Sequence, residues 1–255
     1  MKNHTGNRDI IYVHVNYPDH YVLSAGIEFK EFIAAIPDIS NLLLLRHQFD
    51  DGNYNLHTLL DYVDNETLPK LANDDVNSYG DFCWIDFENE EGLNLLEGQE
   101  IAELLYLSHL KKHLRLPFYR KLDNHFVYLA HEDGAFNKTY YRSFEDFYHV
   151  LGTSIMRKMI DKVEKPMFGR RRKNEFSNVP VEILYPFIEN MKEGMVISLE
   201  RAKFSRSQIE IPIWVIGDFY YMDEMHEEYS MIGSRPVDGK IVYDRKLKEW
   251  KCFIK

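Results

Sequence analysis

Two histidines of this chain, His109 and His113, stand four residues apart in the segment HLKKH. Residues at i and i+4 share one face of a helix, so the two imidazoles could bind one metal ion. The spacing is that of the zinc-helix motif, but Leu110 stands where that motif places its glutamate general base. A third ligand must then come from elsewhere, with Asp133, His125 and His131 as the choices. The candidate metal set is His109, His113 and Asp133, and the chemistry it would give is metal-dependent hydrolysis. Lys111 and Lys112 oppose a bound cation. The plain alternative is two histidines in the basic last turn of a helix, where cations offset the helix dipole.

A second candidate is the basic run Arg170, Arg171, Arg172 and Lys173. Such a run could grip phosphate or nucleic acid. Phe168 and Phe176 flank it, but no larger basic face accompanies it in the sequence. The plain alternative is a solvated connection whose charge complements acids elsewhere in the chain. Tyrosine is abundant, at 17 residues. The pairs Tyr140-Tyr141 and Tyr220-Tyr221 could line a binding groove, since tyrosine joins apolar area to a polar tip.

Three smaller groups complete the set. His131-Glu132-Asp133-Gly134 forms an acid–base triplet at a predicted hairpin tip, although polar residues fill such turns by default. His14, Asp19 and His20 form a loose cluster near the end of a predicted strand. Asp86 to Gly92 is an acidic stretch, but its glycine falls one place too late for an EF-hand loop. The sequence contains no P-loop, dinucleotide-binding glycine motif, nucleophile elbow or C-x-x-C pair. Cys83 and Cys252 are the two cysteines. They exclude a disulfide framework, and Cys83 lies inside an apolar strand pattern.

Charge is distributed unevenly along the 255 residues, whose formal net charge is -10. Residues 50–103 hold 15 acids against a single base, Lys70. That field repels phosphate backbones and attracts basic surfaces. The expected partners are therefore a basic protein or a second copy of the chain, and nucleic acid is disfavoured. No apolar run approaches the roughly 20 residues that span a bilayer, and the first residues lack the apolar stretch of a secretory signal. A cytoplasmic location is expected, with no membrane partner.

These residues need elements to hold them. IIYVHVNY (10–17), LLLLRHQF (42–49) and GDFCWIDF (80–87) read as strands, rich in β-branched and aromatic residues. HFVYLAHEDGAFNKTYYR reads as strand, turn and strand, with Asp133-Gly134 at the turn. Ser24 to Ile36 and EIAELLYLSHLKKHL (100–114) carry apolar residues at helical spacing. Asn55 can cap a short helix through Val63. A helix from Phe144 runs into residues 155–163, and another covers Val181 to Lys192. Four strand-like runs follow, the last two joined as a hairpin around Lys246-Leu247.

The order of elements lacks a regular βαβ rhythm. It predicts an α+β fold, mixed and largely antiparallel sheet pieces with several amphipathic helices. Residues 1–163 form an acidic N-terminal α+β domain, 164–178 a basic connection, and 179–255 a helix with antiparallel strands that shares the first core or forms its own.

GDFCWIDF, with EIAELLYLSHLKKHL and FVYLAHEDGAFNKTYYR, resembles uncharacterised soluble proteins of Bacillus-type genomes over about a quarter of the chain. Some of those proteins carry a transporter label, which the lack of apolar spanning segments contradicts. The resemblance implies no activity and no site residues. The expectation is a binding or protein-interaction module without catalysis, bearing an acidic recognition surface and no cofactor. Metal-dependent hydrolysis and phosphate or nucleic-acid binding are the second and third readings.

Overall fold

A computed structural model describes residues 9–36, 39–74, 76–107, 113–132, 134–163 and 176–255. Among these, the strands are β1 (Ile10–Asn16), β2 (Tyr21–Ala25), β3 (Asn41–Leu45), β4 (Asn53–Asn55), β5 (Leu60–Asp64), β6 (Phe82–Phe87), β7 (Phe126–His131), β8 (Phe136–Tyr141), β9 (Met195–Ser198), β10 (Lys203–Phe204), β11 (Gln208–Val215), β12 (Gly239–Asp244) and β13 (Glu249–Ile254). The helices are α1 (Phe29–Ile33), α2 (Leu68–Asn73), α3 (Glu90–Asn94), α4 (Gly98–Leu105), α5 (Phe144–Val163), α6 (Val181–Leu184), α7 (Ile188–Lys192) and α8 (Met222–Met231).

The α+β expectation is corrected here. The described residues are organised by antiparallel sheet, with 13 strands, and most helices are short. Two local causes are visible. Asn55 does not cap a helix. Its Oδ1 accepts from the backbone N–H and the hydroxyl of Thr58, both at 2.9 Å, and so closes the turn between β4 and β5. The same side-chain chemistry that starts helices also makes Asx turns, and here the turn wins. The predicted helix over 181–192 is interrupted by a 3₁₀ turn at Tyr185–Phe187, where Pro186 cannot donate to the helical ladder.

The chain forms two compact units that interleave in sequence. One comprises Asn16–Leu23 and Glu28–Phe144 and contains the acid-rich segment; it is called the acidic unit below. The other comprises Met1–Val15, Ser24–Ile27 and Glu145–Lys255, the terminal unit. Most of the basic connection expected at 164–178, including Arg170 to Lys173, lies outside the described residues.

In the acidic unit the strand order is β8-β7-β6-β3-β5-β4, with β4 at the edge. Alternation along the strands sorts their side chains onto two faces. Phe82 and Trp84 of β6, Phe126 and Tyr128 of β7, and Tyr141 of β8 share one face, as the registers Phe82↔Ala130, Trp84↔Tyr128 and Phe126↔Tyr141 require. Helix α1 lays Phe29 and Phe32 on that face. Phe29 meets Trp84 edge-on at 4.5 Å, and Phe32 meets Phe126 edge-on at 4.9 Å. Edge-on contacts place the positive rim of one ring against the negative face of another. Cys83, Ile85, Val127, Leu129, Lys138 and Tyr140 occupy the opposite face by the same registers.

In the terminal unit β13, β12, β11, β9 and β1 follow in that order, with β10 beside β11. Helix α5 buries Phe147, Leu151, Ile155 and Met159, a strict four-residue spacing that makes one apolar stripe. Gly152 interrupts the α5 surface because a Cβ there would come within 2.3 Å of the Val179 carbonyl oxygen, so the chain at Val179 can pass close to the helix.

Candidate functional site

Strand β8 positions the most unusual charged group of the acidic unit. Lys138 lies between the buried residues Asn137 and Thr139, on the same face as Tyr140. Its ammonium sits over the Tyr21 ring, 4.1 Å from the centroid, and 5.0 Å from that of Tyr140. Both tyrosines are buried, so the rings hold the cation partly out of water while their faces attract it. Burial pushes the Lys138 ammonium down to about 8, and the Asp19 carboxylate partly offsets that shift.

His113 closes the group. Its ring stacks on Tyr21 at 5.1 Å. Its Nδ1 lies 3.2 Å from Lys138 Nζ and 3.3 Å from the Tyr140 hydroxyl. Its Nε2 lies 3.7 Å from Asp19 Oδ2, within ion-pair range. A local network holds Asp19 and Tyr21 in place. The Asn16 side chain accepts from the Asp19 backbone N–H at 3.0 Å and donates to the Tyr21 hydroxyl at 3.0 Å. Phe118 meets Tyr140 edge-on at 5.9 Å. Burial pushes the Tyr140 phenol up to about 12, against the Leu114 backbone N–H that donates to it. His113 is 44% exposed and Asp19 37%, so the cluster opens to solvent on their side. Chemically, it places an amine beside a proton acceptor, with a carboxylate behind that acceptor and aromatic walls around it.

Comparison with protein-family models, curated proteins and solved structures finds no match to this chain.

His109 and Asp133 lie outside the described residues, as do Arg170, Arg171, Arg172 and Lys173. His113 is described, and Lys138, Tyr140 and Asp19 are its polar neighbours. No group of three His, Cys, Asp or Glu among the described residues is arranged to hold a metal ion. Tyr140 enters the lysine cluster, while Tyr141 is buried on the other face, its ring 6.3 Å from Phe32. Tyr220 and Tyr221 are exposed. His14 pairs with Asp218 at 2.5 Å in the terminal unit, and His20 stacks on Phe144 at 5.1 Å in the acidic unit. His131 lies 3.8 Å from Asp81. Asp86 turns inward: its Oδ1 accepts from the backbone N–H of Phe126 at 2.8 Å, and both its oxygens accept from that of His125 at 2.9 Å. Burial pushes the Cys83 thiol up, away from the thiolate a nucleophile needs. No helix among the described residues is long and apolar enough to cross a membrane.

A second surface lies at the sheet edge of the same unit. The turn between β4 and β5 exposes Leu56 (83%) and Leu59 (66%), and Leu95, just past α3, is 65% exposed. Buried Asn55 ties the two together, donating to Glu90 Oε1 at 3.3 Å and Asn94 Oδ1 at 3.1 Å. His57 Nε2 meets the Leu96 carbonyl oxygen at 2.7 Å. The apolar tip is therefore fixed rather than free to fold inward. Glu90, bonded to Asn55, and the nearby residues Glu91 and Glu97 are exposed, and β4 is the edge strand among the described strands of this unit.

Sequence reading missed Lys138 and Tyr21. The available signal was a lysine alternating with aromatic residues on one strand face, Phe136-x-Lys138-x-Tyr140. A lysine there must either reach solvent or lie against rings.

The lysine cluster makes stability depend on pH. Lys138 is protonated in both folded and unfolded states below about pH 8, and the folded state bears the cost of the desolvated charge. Between that value and the ordinary lysine value of about 10.4, the folded chain has shed the proton and the unfolded chain still holds it, so stability rises with pH. Above about pH 10, Tyr140 opposes this, because the unfolded phenol ionises before the folded one. Lys138→Met should therefore show its most favourable stability relative to the parent at pH 7, and lose that advantage steadily by pH 9.5. Urea midpoints of both proteins across this range measure it. Parallel curves would count against the lowered lysine.

Proposed function

We propose that the chain is a protein-interaction module that works by binding rather than turnover, and that its acidic unit receives a basic segment of another protein. The observation that carries this reading is the fixed apolar tip Leu56, Leu59 and Leu95, with the Glu90 carboxylate bonded to Asn55 beside it, next to β4, the edge strand among the described strands of this unit. Large exposed leucines grouped inside a polar rim are the anatomy of a docking surface. The partner's chemistry follows from the charge. With 15 acids and one base over residues 50–103, the attracted segment is rich in lysine or arginine. Its apolar residues would cover the leucines, and an extended backbone could pair with β4. The acids would speed and orient the encounter while the leucines supply most of the affinity.

The test uses a peptide of interspersed leucine and lysine, followed by fluorescence anisotropy. Leu56→Asp with Leu95→Asp should weaken binding by about tenfold or more, the loss that about 1.4 kcal/mol represents. Raising salt should weaken the parent complex as well. A lysine peptide without leucine should bind poorly. Equal binding by parent and double variant would overturn the docking surface. So would sedimentation showing a dimer that the double variant breaks, because a second copy would then cover the patch.

A further inference from the structure

The cluster around Lys138 is separate from the docking surface, and neither inference depends on the other. We propose that Lys138 is a nucleophilic amine that captures a neutral aldehyde or ketone bearing an apolar or aromatic substituent, with His113 as its proton acceptor and donor and Asp19 as the carboxylate that steadies the imidazolium.

A nucleophilic lysine needs a partner that removes its proton, a wall that disfavours the ammonium, and an opening for the electrophile. His113 Nδ1 at 3.2 Å from Nζ is within reach of the proton. The rings of Tyr21 and Tyr140 form the wall. The exposed side of His113 and Asp19 forms the opening. Among the described groups, the titratable or charged ones near Nζ are His113, Tyr21, Tyr140 and Asp19, and the His113 ring nitrogen lies within hydrogen-bond distance of it. Tyr140 is a poor competitor, since burial holds its phenol protonated. The lowered ammonium of Lys138 agrees with this arrangement.

The substrate class follows from the same walls. Phe118, half-buried against Tyr140, offers apolar ring surface to a substituent. Asp19 stands at the open side and repels a carboxylate or phosphate, which selects a neutral carbonyl compound.

The chemistry balances without an added oxidant. His113 takes a proton from the ammonium. The amine lone pair forms a bond to the carbonyl carbon, and the carbonyl π pair moves to oxygen. After proton transfer from nitrogen to oxygen, the adduct is a carbinolamine. The imidazolium then protonates the hydroxyl, the carbon–oxygen bond breaks, and water leaves. The nitrogen lone pair forms the second carbon–nitrogen bond as water departs, so the product is the protonated imine of Lys138 with His113 returned to neutral, and its formation is reversible by water.

The experiment traps that imine on the whole protein with benzaldehyde and cyanoborohydride at pH 7.5, and locates the benzyl groups by peptide mass spectrometry. A lysine lowered to about 8 carries on the order of 200 times more free amine than an ordinary one at this pH, and its reduced nucleophilicity cuts the advantage to roughly tenfold. Lys138 should therefore be labelled about ten times faster than the median lysine. That advantage comes from the lowered ammonium alone and His113 adds to it, so His113→Gln should slow the labelling of Lys138 severalfold while leaving the other lysines unchanged, and 4-carboxybenzaldehyde should label Lys138 more slowly than benzaldehyde does. If His113→Gln fails to fold, Asp19→Asn replaces it and should remove the discrimination against the carboxylate. Uniform labelling across the lysines would overturn the proposal. So would a fast Lys138 whose rate ignores His113→Gln, or whose discrimination against the carboxylate survives Asp19→Asn, because desolvation alone would then explain it.

Discussion

Asp86→Ala is expected to destabilise the acidic unit by about 3–5 kcal/mol, the range of a buried charged acceptor removed from its donors. Asp86 is 4% exposed, on β6 beside the start of β7. Its carboxylate accepts from the backbone N–H groups of His125 and Phe126, and its Oδ2 lies 3.1 Å from His125 Nδ1. Bonds to an ionised acceptor contribute about 1.5–3 kcal/mol each, and an orphaned buried N–H costs about 1–3 kcal/mol. Alanine leaves both backbone donors facing a void. Asp86→Asn is the informative companion. Its amide oxygen can take the Oδ1 position and accept from both N–H groups, while its NH₂ can donate to His125 Nδ1. Asparagine should then cost only about 1 kcal/mol, the net worth of ordinary hydrogen bonding. Urea unfolding of the three proteins measures the order. Equal losses for alanine and asparagine would mean that the carboxylate does not anchor β7.

Gly194→Ala is expected to cost about 4 kcal/mol, at the upper end of single substitutions. Gly194 ends the helical segment before β9 with φ +80°, in the left-handed region. A left-handed conformation costs a non-glycine residue roughly 1–2 kcal/mol. The larger part is steric. A Cβ at this position would fall 1.7 Å from the Gly217 carbonyl oxygen, which is backbone and has no rotamer to escape into. The Gly194 carbonyl oxygen also accepts from the Ile216 N–H at 2.9 Å, and Tyr12 donates to the Gly217 carbonyl oxygen at 3.1 Å while accepting from the Phe219 N–H at 3.0 Å. Any shift that makes room for the methyl group breaks this knot. Gly233 provides the control, since it has φ +52° but its added Cβ would meet nothing closer than 3.8 Å. Gly233→Ala should lose only about 1 kcal/mol, the conformational part alone. Equal losses at the two glycines would refute the steric account.

Much of the local structure could be read from the residues. Alternating β-branched and aromatic residues gave β1, β6, β7 and β8 close to where they stand. The helix read from Phe144 into residues 155–163 stands as α5. Asp244 to Lys248 forms the turn of the expected terminal hairpin, with the Asp244 side chain accepting from the Lys246 and Leu247 N–H groups at 2.9 and 3.1 Å. The reading failed where one side chain serves two local structures. Asn55 can cap a helix or close an Asx turn, and only the docking of that turn on α3 through Glu90 and Asn94 selects the second. It also underweighted the sheet, because a short strand such as β4 carries too few residues to show a period.

By itself the sequence determined the segregation of charge, the apolar faces of the longer elements and the absence of several nucleotide and nucleophile motifs, because each of these is a property of residues close together in the chain. Only the tertiary structure decided which polar groups meet. Asp19 and Tyr21 precede the second segment of the acidic unit, His113 lies in the stretch before β7, and Lys138 and Tyr140 lie on β8. No periodicity links residues so far apart. They converge because the strands pair in a fixed register, and a one-residue slip of β8 would carry Lys138 to the opposite face, onto Phe29 and Phe32.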